Sequence, residues 1–183
     1  MEWTLPGTVL KSPRAEAAHV EEQFRAMFLP GGMVLSQVAA ITGLESYRIQ
    51  NWVKRGFLTN PQNKRYTLRQ LCRILNINIL KSVFPLERIC RLLGYVNGQL
   101  DDESDDMIDD SHLYFMFVRL AACSKELYRQ ENREQVLEEA LADYVEPVPG
   151  AKARVKEVLR IMLTAWLAGR MSQEAERMLN ELP

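Results

Sequence analysis

VLSQVAAITGLESYRIQNWVKRG, residues 34–56, is the stretch of sequence that decides the fold of this chain. Its first eight residues carry apolar side chains at helical spacing, and Ser36 stands where it can cap a short helix. Gly43 follows, and a glycine there permits the left-handed backbone that ends one helix and turns tightly into another. Residues 46–55 predict that second helix, with Ser46 as its cap. The stretch therefore predicts a helix-turn-helix.

The second predicted helix has one apolar and one polar face. Ile49, Trp52 and Val53 recur at i, i+3 and i+4, so we expect all three in the core, and Trp52 is interpreted as a core residue rather than a base-stacking platform. The opposite face carries side chains that read base edges or hold phosphates in DNA complexes. The candidate DNA-binding residues on this helix are Ser46, Tyr47, Arg48, Gln50, Asn51, Lys54 and Arg55.

A minimal wing follows the second helix. Gly56 ends the helix, Phe57-Leu58 predicts a short strand, and the turn formers at residues 60–63 precede a returning strand. Two bases beside a tyrosine in such a hairpin suit the phosphate backbone or the minor groove, with the tyrosine packed or stacked beneath them. The candidate DNA contacts in this wing are Lys64, Arg65 and Tyr66.

Charge is distributed unevenly along the chain. Residues 33–98 contain ten bases and two acids, a balance of +8, whereas the remainder has 13 bases and 22 acids, a balance of −9. A charge cluster alone is more often a solvated helix surface than a binding site. Its position after a glycine turn and beside a basic wing favours a DNA-binding module attached to an acidic one.

An acidic run separates the two halves of the chain. Residues 101–110 hold seven acids and no base, a pattern that repels itself and favours a solvated connector. The run follows two apolar helices, one capped by Thr67 and one opened by Pro85, and the turn pair Asn97-Gly98. We therefore place the domain boundary in this run, and expect each half to bury its own core.

Helical spacing of apolar residues dominates the rest of the chain. A leading helix is predicted over residues 15–29, and a small bundle of helices is predicted after residue 111. The helix signals of that bundle are Ser111 as an N-cap for a helix reaching Leu127, a stop at Pro147 to Gly150, a stop at Gly169, and Ser172 as the cap of a last short helix.

The predicted fold class is mainly α, a winged helix-turn-helix with a small two-stranded wing followed by a small helical bundle. Residues 1–32 form the leading helix and linker, 33–98 the DNA-binding domain, 99–111 the acidic linker, and 112–183 an all-helical domain for dimerisation or effector binding. No stretch approaches the roughly 18 apolar residues of a membrane span, and the chain starts without a secretory pattern. We therefore expect no membrane association and a cytoplasmic protein.

The residues of the first half resemble the winged-helix head of MerR-type regulators. The matching motifs, in the order of that family, are Gly43-Leu44, Gly56-Phe57-Leu58, Lys64-Arg65-Tyr66 and Phe84-Pro85-Leu86-Glu87-Arg88-Ile89. Where that family has Thr-Ile-Arg-Tyr-Tyr, this chain has Arg48-Ile49-Gln50-Asn51-Trp52, and its wing is several residues shorter. The resemblance covers about a third of the chain and implies a DNA-binding head.

A second resemblance extends over most of the chain. The strings QNWVKRG (50–56), KRY (64–66) and INILK (77–81) are more similar to an uncharacterised bacterial family. Its members pair a MerR-like head with a helical C-terminal region. This resemblance implies transcriptional control, and it implies no particular ligand or operator.

Catalytic and metal-binding motifs do not stand out in the sequence. It contains no glycine-rich phosphate loop, no Gly-x-Ser-x-Gly and no His-Glu-x-x-His, so we predict no enzyme activity, no cofactor and no metal. Cys72 and Cys90 raise a metal-sensor hypothesis, but both lie among Leu and Ile, where free cysteine behaves as a small hydrophobe. The core interpretation is the stronger one.

The leading hypothesis is a transcription regulator that binds double-stranded DNA as a homodimer, with the helical half supplying dimerisation, a small-molecule pocket or a protein contact. The alternative is a protein-interaction adaptor whose winged helix no longer binds DNA. A weaker hypothesis is ligand sensing in a cavity of the helical half. The aromatic residues considered for that cavity are Phe115, Phe117, Tyr128, Tyr144 and Trp166, although such residues are more often core.

Overall fold

Apolar periodicity in this sequence produces eight α-helices and two small antiparallel sheets in the computed structural model, which describes residues 2–123 and 130–182. The helices are α1 (Val20–Met27), α2 (Leu35–Thr42), α3 (Ser46–Lys54), α4 (Leu68–Leu80), α5 (Leu86–Asn97), α6 (Asp110–Ala122), α7 (Gln130–Ala140) and α8 (Ala151–Asn180). The strands are β1 (Glu2–Thr4), β2 (Lys11–Pro13), β3 (Met33–Val34) and β4 (Arg65–Tyr66). The predicted mainly α class is confirmed. None of the described helices has the length and hydropathy required to cross a bilayer.

The segment that precedes β3 forms a packed unit that the sequence interpretation did not anticipate. Strands β1 and β2 pair as a hairpin, and a 3-10 segment precedes α1, so the predicted helix over residues 15–29 is shorter than expected. Phe24 packs on α6, with its ring 5.9 Å from Tyr114 and 5.7 Å from Phe115. The Tyr114 hydroxyl donates to the Pro6 carbonyl over 3.0 Å. This segment therefore belongs to the core and is not a linker.

The turn between β1 and β2 contacts α4 closely. Gly7 has a φ of +73°, and a Cβ there would lie 2.6 Å from the Leu75 carbonyl oxygen. The Asn78 side-chain amide donates to the Gly7 carbonyl over 2.7 Å and to the Thr42 carbonyl over 3.0 Å. These bonds join the hairpin, the end of α2 and α4.

Replacing Gly7 by alanine is expected to lower the free energy of unfolding by about 2–3 kcal/mol, because the added methyl group meets backbone and the φ is left-handed. Gly31→Ala is the matched control, since Gly31 has a φ of +95° and open space around it. It should cost only about 1 kcal/mol. Chemical denaturation of both variants measures the difference, and equal losses would contradict the close contact.

Helices α2 and α3 form where predicted, with different caps. The Val34 amide donates to the Gln37 side-chain oxygen over 3.0 Å, so Gln37 rather than Ser36 satisfies the start of α2. Gly43 ends α2 with a φ of +67°. Glu45 occupies the N-cap of α3, and Ser46 is its first helical residue rather than its cap. The predicted core position of Trp52 is confirmed.

The wing has a different strand partner from the predicted one. Strand β4 returns as expected, but it pairs with β3, matching Met33 to Tyr66. Residues 57–58 do not form a strand, because Leu58 is buried in the core and the Phe57 carbonyl accepts a hydrogen bond from Arg73. Left-handed residues Asn63 and Lys64 close the tight turn before β4.

The acidic run is only partly a solvated connector. Residues 101–105 are exposed, whereas Ile108, Asp110 and Ser111 are buried. Asp109 caps α6, because its carboxylate accepts from the Ser111 amide over 2.8 Å. The expectations of a solvated linker through residue 111 and of Ser111 as the N-cap are therefore wrong. Burial is possible because arginines of α4 contact the run, as described below.

One hydrophobic core runs through both predicted domains. Helix α4 packs against α6 and α8, and the rings of Phe117 and Trp166 meet edge to face at 6.0 Å. Phe115 is also buried, so these three aromatic residues fill the core. The expectation of two separate cores is wrong, because the apolar face of α4 is shared.

The last two predicted helices are a single one. Helix α8 continues for 30 residues through both Gly169 and Ser172. A Cβ on Gly169 would lie 2.9 Å from the Ser82 hydroxyl oxygen, so this glycine permits close packing and does not end the helix. Leu127 and Tyr128, which the sequence interpretation used, lie outside the described residues.

Candidate nucleic-acid interface

The polar face of α3 is presented to solvent. Burial of Ile49 and Trp52 on one side fixes the helix so that its other side points outward. Tyr47 is 63% exposed, and Ser46 is half-buried. The other predicted contacts on this helix that are exposed are Arg48, Gln50, Asn51, Lys54 and Arg55.

The N-terminal end of α3 lies near a base that the sequence interpretation left out of the site. The Arg48 guanidinium donates to the Tyr47 hydroxyl over 3.4 Å, and this bond raises the pKa of Arg48. Partial burial and then the charge of Arg48 lower the pKa of Lys81. The hydrogen bond from the Asn78 side chain to the Thr42 carbonyl brings the end of α4, and with it Lys81, beside the turn that precedes α3. The apolar neighbours of Lys81 along the chain provide no local signal of this placement.

Arg55 is engaged within the protein. Its guanidinium pairs with the Glu87 carboxylate at the start of α5, and its Cζ lies 4.7 Å from the centre of the Phe57 ring. Both contacts come from residues outside α3. An ionic partner reduces the charge that Arg55 offers to a phosphate, so its predicted role is weaker than that of Lys54.

A groove of about 720 Å³ separates α3 from the wing turn. It brings the side chains of Gln50, Lys54 and Lys64 to the same cleft, although Lys64 belongs to the wing turn and the other two to α3. Neither lysine makes an ion pair with another described residue. The two lysines are therefore the strongest phosphate-binding candidates on this surface.

The remaining wing candidates differ from each other. Arg65 is exposed and donates from Nη1 to the Gly32 carbonyl over 3.0 Å, which leaves its other donors available. Tyr66 is only 3% exposed, and burial raises the pKa of its hydroxyl. Tyr66 is therefore a core residue that supports the wing, and its inclusion among the DNA contacts is corrected.

Two arginines of the basic segment are neutralised by the acidic run. Arg73 Nη1 lies 3.3 Å from Oδ2 of Asp110, and Arg69 lies 2.7 Å from Asp106 and 3.1 Å from Glu103. The count of ten bases therefore overstates the charge that the segment presents. The arginines stand one turn apart on α4. The whole of α5 lies between them and their partners in the sequence, so local sequence patterns do not reveal the pairing.

The partly buried Asp106 makes stability depend on pH. Burial raises the pKa of Asp106 to about 6, and the negative charges of Asp110 and Asp105 also raise it. The ion pair with Arg69 acts in the opposite direction and lowers the pKa. A carboxyl whose pKa is higher in the folded than in the unfolded state stabilises the protein at low pH. This contribution to the free energy of unfolding is lost as the pH rises through the folded-state pKa. We expect the free energy of unfolding to fall by about 1 kcal/mol between pH 5 and pH 7.5 from this group.

Asp106→Asn provides the comparison for that expectation. Denaturant titrations at both pH values should show a smaller fall in the variant than in the parent, because the variant lacks this carboxyl group. Other carboxyl groups, such as Asp109 and Glu138, have a lowered pKa. Their contribution to the free energy of unfolding is lost only below about pH 4.5, so it does not change between pH 5 and pH 7.5. An identical pH dependence in parent and variant would contradict the assignment to Asp106.

The cysteines are placed as core or edge residues. Burial raises the pKa of the Cys72 and Cys90 thiols, which favours the protonated form that does not bind metals. Within residues 2–123 and 130–182, no three His, Cys, Asp or Glu residues are grouped so that they could hold a metal ion.

Comparisons with known proteins match this chain to proteins of unknown function. Residues 33–117 match the family model described as "Domain of unknown function (DUF1836)". Over 84 residues the chain is 33% identical to "Uncharacterized protein YkrK" of Bacillus subtilis (strain 168), a stretch that covers 44% of this chain and 36% of that protein. The chain thus spans little more than a third of that relative's length. No solved structure matches this chain. These matches show that the chain is similar to a bacterial protein family of unknown function.

Proposed function

We propose that this protein is a transcription regulator whose α2–α3 unit and β3–β4 turn act as a MerR-like winged-helix head on double-stranded DNA. One observation carries the proposal: the exposed face of α3 and the wing turn place Lys54 and Lys64 on one groove without a carboxylate partner among the described residues. Phosphate binding provides most of the affinity of such proteins for DNA.

The dimensions of α3 suit the major groove. An α-helix with its side chains is about 10–12 Å across, and the major groove of B-DNA is about 12 Å wide. With α3 in that groove, Gln50 and Asn51 face base edges and Arg48 reaches the guanine edge or the backbone. Lys54, Lys64 and Lys81 then lie to either side as phosphate contacts.

Salt dependence of binding to random duplex DNA tests the proposal. Four or so phosphate contacts predict that the logarithm of the association constant falls against the logarithm of salt concentration with a slope of about −3 to −4. Fluorescence anisotropy from about 25 to about 200 mM salt measures this slope. No binding at the lowest salt concentration would overturn the proposal.

Base recognition by α3 makes a separate prediction. Gln50→Ala and Asn51→Ala should change the sequences selected from a random duplex pool, while affinity for random DNA changes by less than about threefold, because these side chains face bases rather than phosphates. Gln99→Ala, an exposed change outside α3, is the control and should select the parental sequences. Unchanged selection by both α3 variants would place the recognition surface elsewhere.

The adaptor hypothesis has one observation in its favour. Arg55, Arg69 and Arg73 of the basic segment already have carboxylate partners inside the protein, which reduces the charge available to DNA. In that case the acidic helical half forms the working surface for a protein partner. Absence of DNA binding at low salt favours this function over the leading one.

A further inference from the structure

A groove between α5 and α8 has an apolar floor that the core leaves open. It measures about 630 Å³, and its apolar lining residues are Phe84, Leu92, Tyr95 and Ile161. Tyr95 is 50% exposed, and the other three side chains are half-buried. Apolar side chains that cluster in an open groove, rather than standing singly on the surface, are typical of interaction sites.

Three arginines surround this apolar floor. Arg88 and Arg91 line the groove from α5, and Cζ of Arg154 on α8 lies 5.2 Å from the centre of the Tyr95 ring. All three arginines are exposed, and none forms an ion pair with another described residue. Both walls of the groove therefore carry positive charge.

The carboxylates of the same helix segments are already paired with other arginines. Glu87, beside Arg88 in the sequence, pairs with Arg55 of the α3 end, and Glu157 on α8 pairs with Arg160. No described carboxylate is left to neutralise the arginines of the groove. Because complementary charge at the rim of an apolar contact selects the partner, this groove suits an acidic one.

The shape of the groove suits a helix. Arg88, Leu92 and Tyr95 are four and three residues apart, so they form a ridge along one face of α5. The groove between such a ridge and a neighbouring helix accepts the side-chain ridge of a third helix. From Arg154 to Ile161 the α8 wall is about 10 Å long, which corresponds to about two turns of a docked helix.

The composition of the groove favours a protein over DNA. None of its lining residues is shared with the groove between α3 and the wing turn. Interfaces with DNA are polar and strongly positive, whereas the centre of a protein–protein interface is apolar and enriched in aromatic residues and arginine. An apolar floor with Tyr95 and a rim of arginines has the second composition.

We propose that this groove binds an acidic amphipathic helix of a partner protein. Apolar side chains of that helix, spaced at i, i+4 and i+7, cover Phe84, Leu92 and Ile161, as in other complexes of a helix in a groove. Acidic side chains on its two flanks pair with the arginines of α5 on one wall and with Arg154 on the other. The proposed contact does not depend on DNA binding.

Binding of designed peptides without DNA tests the proposal. The probe is a fluorescein-labelled helix of about 18 residues, with leucines at i, i+4, i+7 and i+11, glutamates on both flanks of that stripe and alanines elsewhere. One control peptide has lysines in place of the glutamates, and the other has glutamines in place of the leucines. Fluorescence anisotropy should give a dissociation constant on the order of 10–100 µM for the probe and one at least tenfold higher for each control.

Charge reversal assigns the binding to this groove. Arg88→Glu/Arg91→Glu should weaken binding of the acidic probe at least tenfold and strengthen that of the lysine peptide, because the rim then has the opposite charge. Lys54→Glu/Lys64→Glu changes the net charge equally at the other groove, and should leave both affinities within about threefold. Tyr95→Ala shortens the floor without changing charge and should weaken the acidic probe by about fivefold. Circular dichroism checks that the variants keep their helices.

Several results would overturn the proposal. These are no binding of the acidic probe, equal affinities for the three peptides, equal losses in the two charge-reversal variants, or unchanged affinity in both groove variants. Dimers of the parent that Arg88→Glu/Arg91→Glu converts to monomers in sedimentation equilibrium would assign the groove to a second copy. A loss of random-duplex affinity in that variant as large as in Lys54→Glu/Lys64→Glu would assign its arginines to DNA, and would leave the proposed DNA binding intact.

Discussion

Replacing Asp110 by alanine is expected to lower the free energy of unfolding by about 3–5 kcal/mol. Asp110 is 1% exposed, and its carboxylate lies 3.3 Å from the buried guanidinium of Arg73 and 4.0 Å from that of Arg69. Burial raises the pKa of Asp110, so the pair is not a large source of stability. Removal of one partner is costly because the charge of Arg73 then stays buried without its carboxylate.

Two comparisons isolate the buried charge. Asp101→Ala removes a carboxylate from the exposed part of the same run and should cost less than about 0.5 kcal/mol. Arg73→Met/Asp110→Ala removes both charges with little change in volume at residue 73, so it should recover most of the loss. Chemical denaturation with far-ultraviolet circular dichroism measures all three. A loss in Asp110→Ala no larger than in Asp101→Ala would show that Arg73 reaches water when its partner is removed.

The second large effect is expected on DNA affinity. Lys54→Ala/Lys64→Ala should weaken binding to every duplex sequence by roughly 100-fold at low salt, because each charged contact with a phosphate is worth about tenfold. The two lysines line the same groove and act on separate phosphates, so the effects should add. The salt slope should become less steep by about 2.

Matched variants separate this effect from a change in net charge. Lys152→Ala/Lys156→Ala removes two lysines from the start of α8 and should change affinity by less than threefold. Arg55→Ala should weaken binding less than Lys54→Ala, because Arg55 is already paired with Glu87. Fluorescence anisotropy on random duplex provides the dissociation constants. Equal losses in the Lys54/Lys64 and Lys152/Lys156 variants would show that net charge, rather than the groove, controls binding.

Strand pairing and caps illustrate why some predictions failed. The signal at residues 64–66 for a returning strand was correct, but its partner β3 precedes α2, on the far side of the helix-turn-helix in the sequence. An apolar residue such as Leu58 is compatible with a strand and with a buried turn, so the local sequence could not decide between the two. The prediction that Ser36 caps α2 was wrong for a similar reason. Both Ser36 and Gln37 can accept a hydrogen bond at the start of this helix, and the Val34 amide donates to Gln37.

The sequence by itself determined that residues 34–56 form two helices around the turn at Gly43, with Ile49 and Trp52 inward and a polar face outward. These features depend on contacts three or four residues apart and on one glycine, so local periodicity encodes them. The tertiary structure alone decided that Arg55 pairs with Glu87, that Arg73 is buried against Asp110, and that Lys64 joins Lys54 at one groove. Such pairings depend on how distant helices pack, and no spacing rule within either segment specifies them.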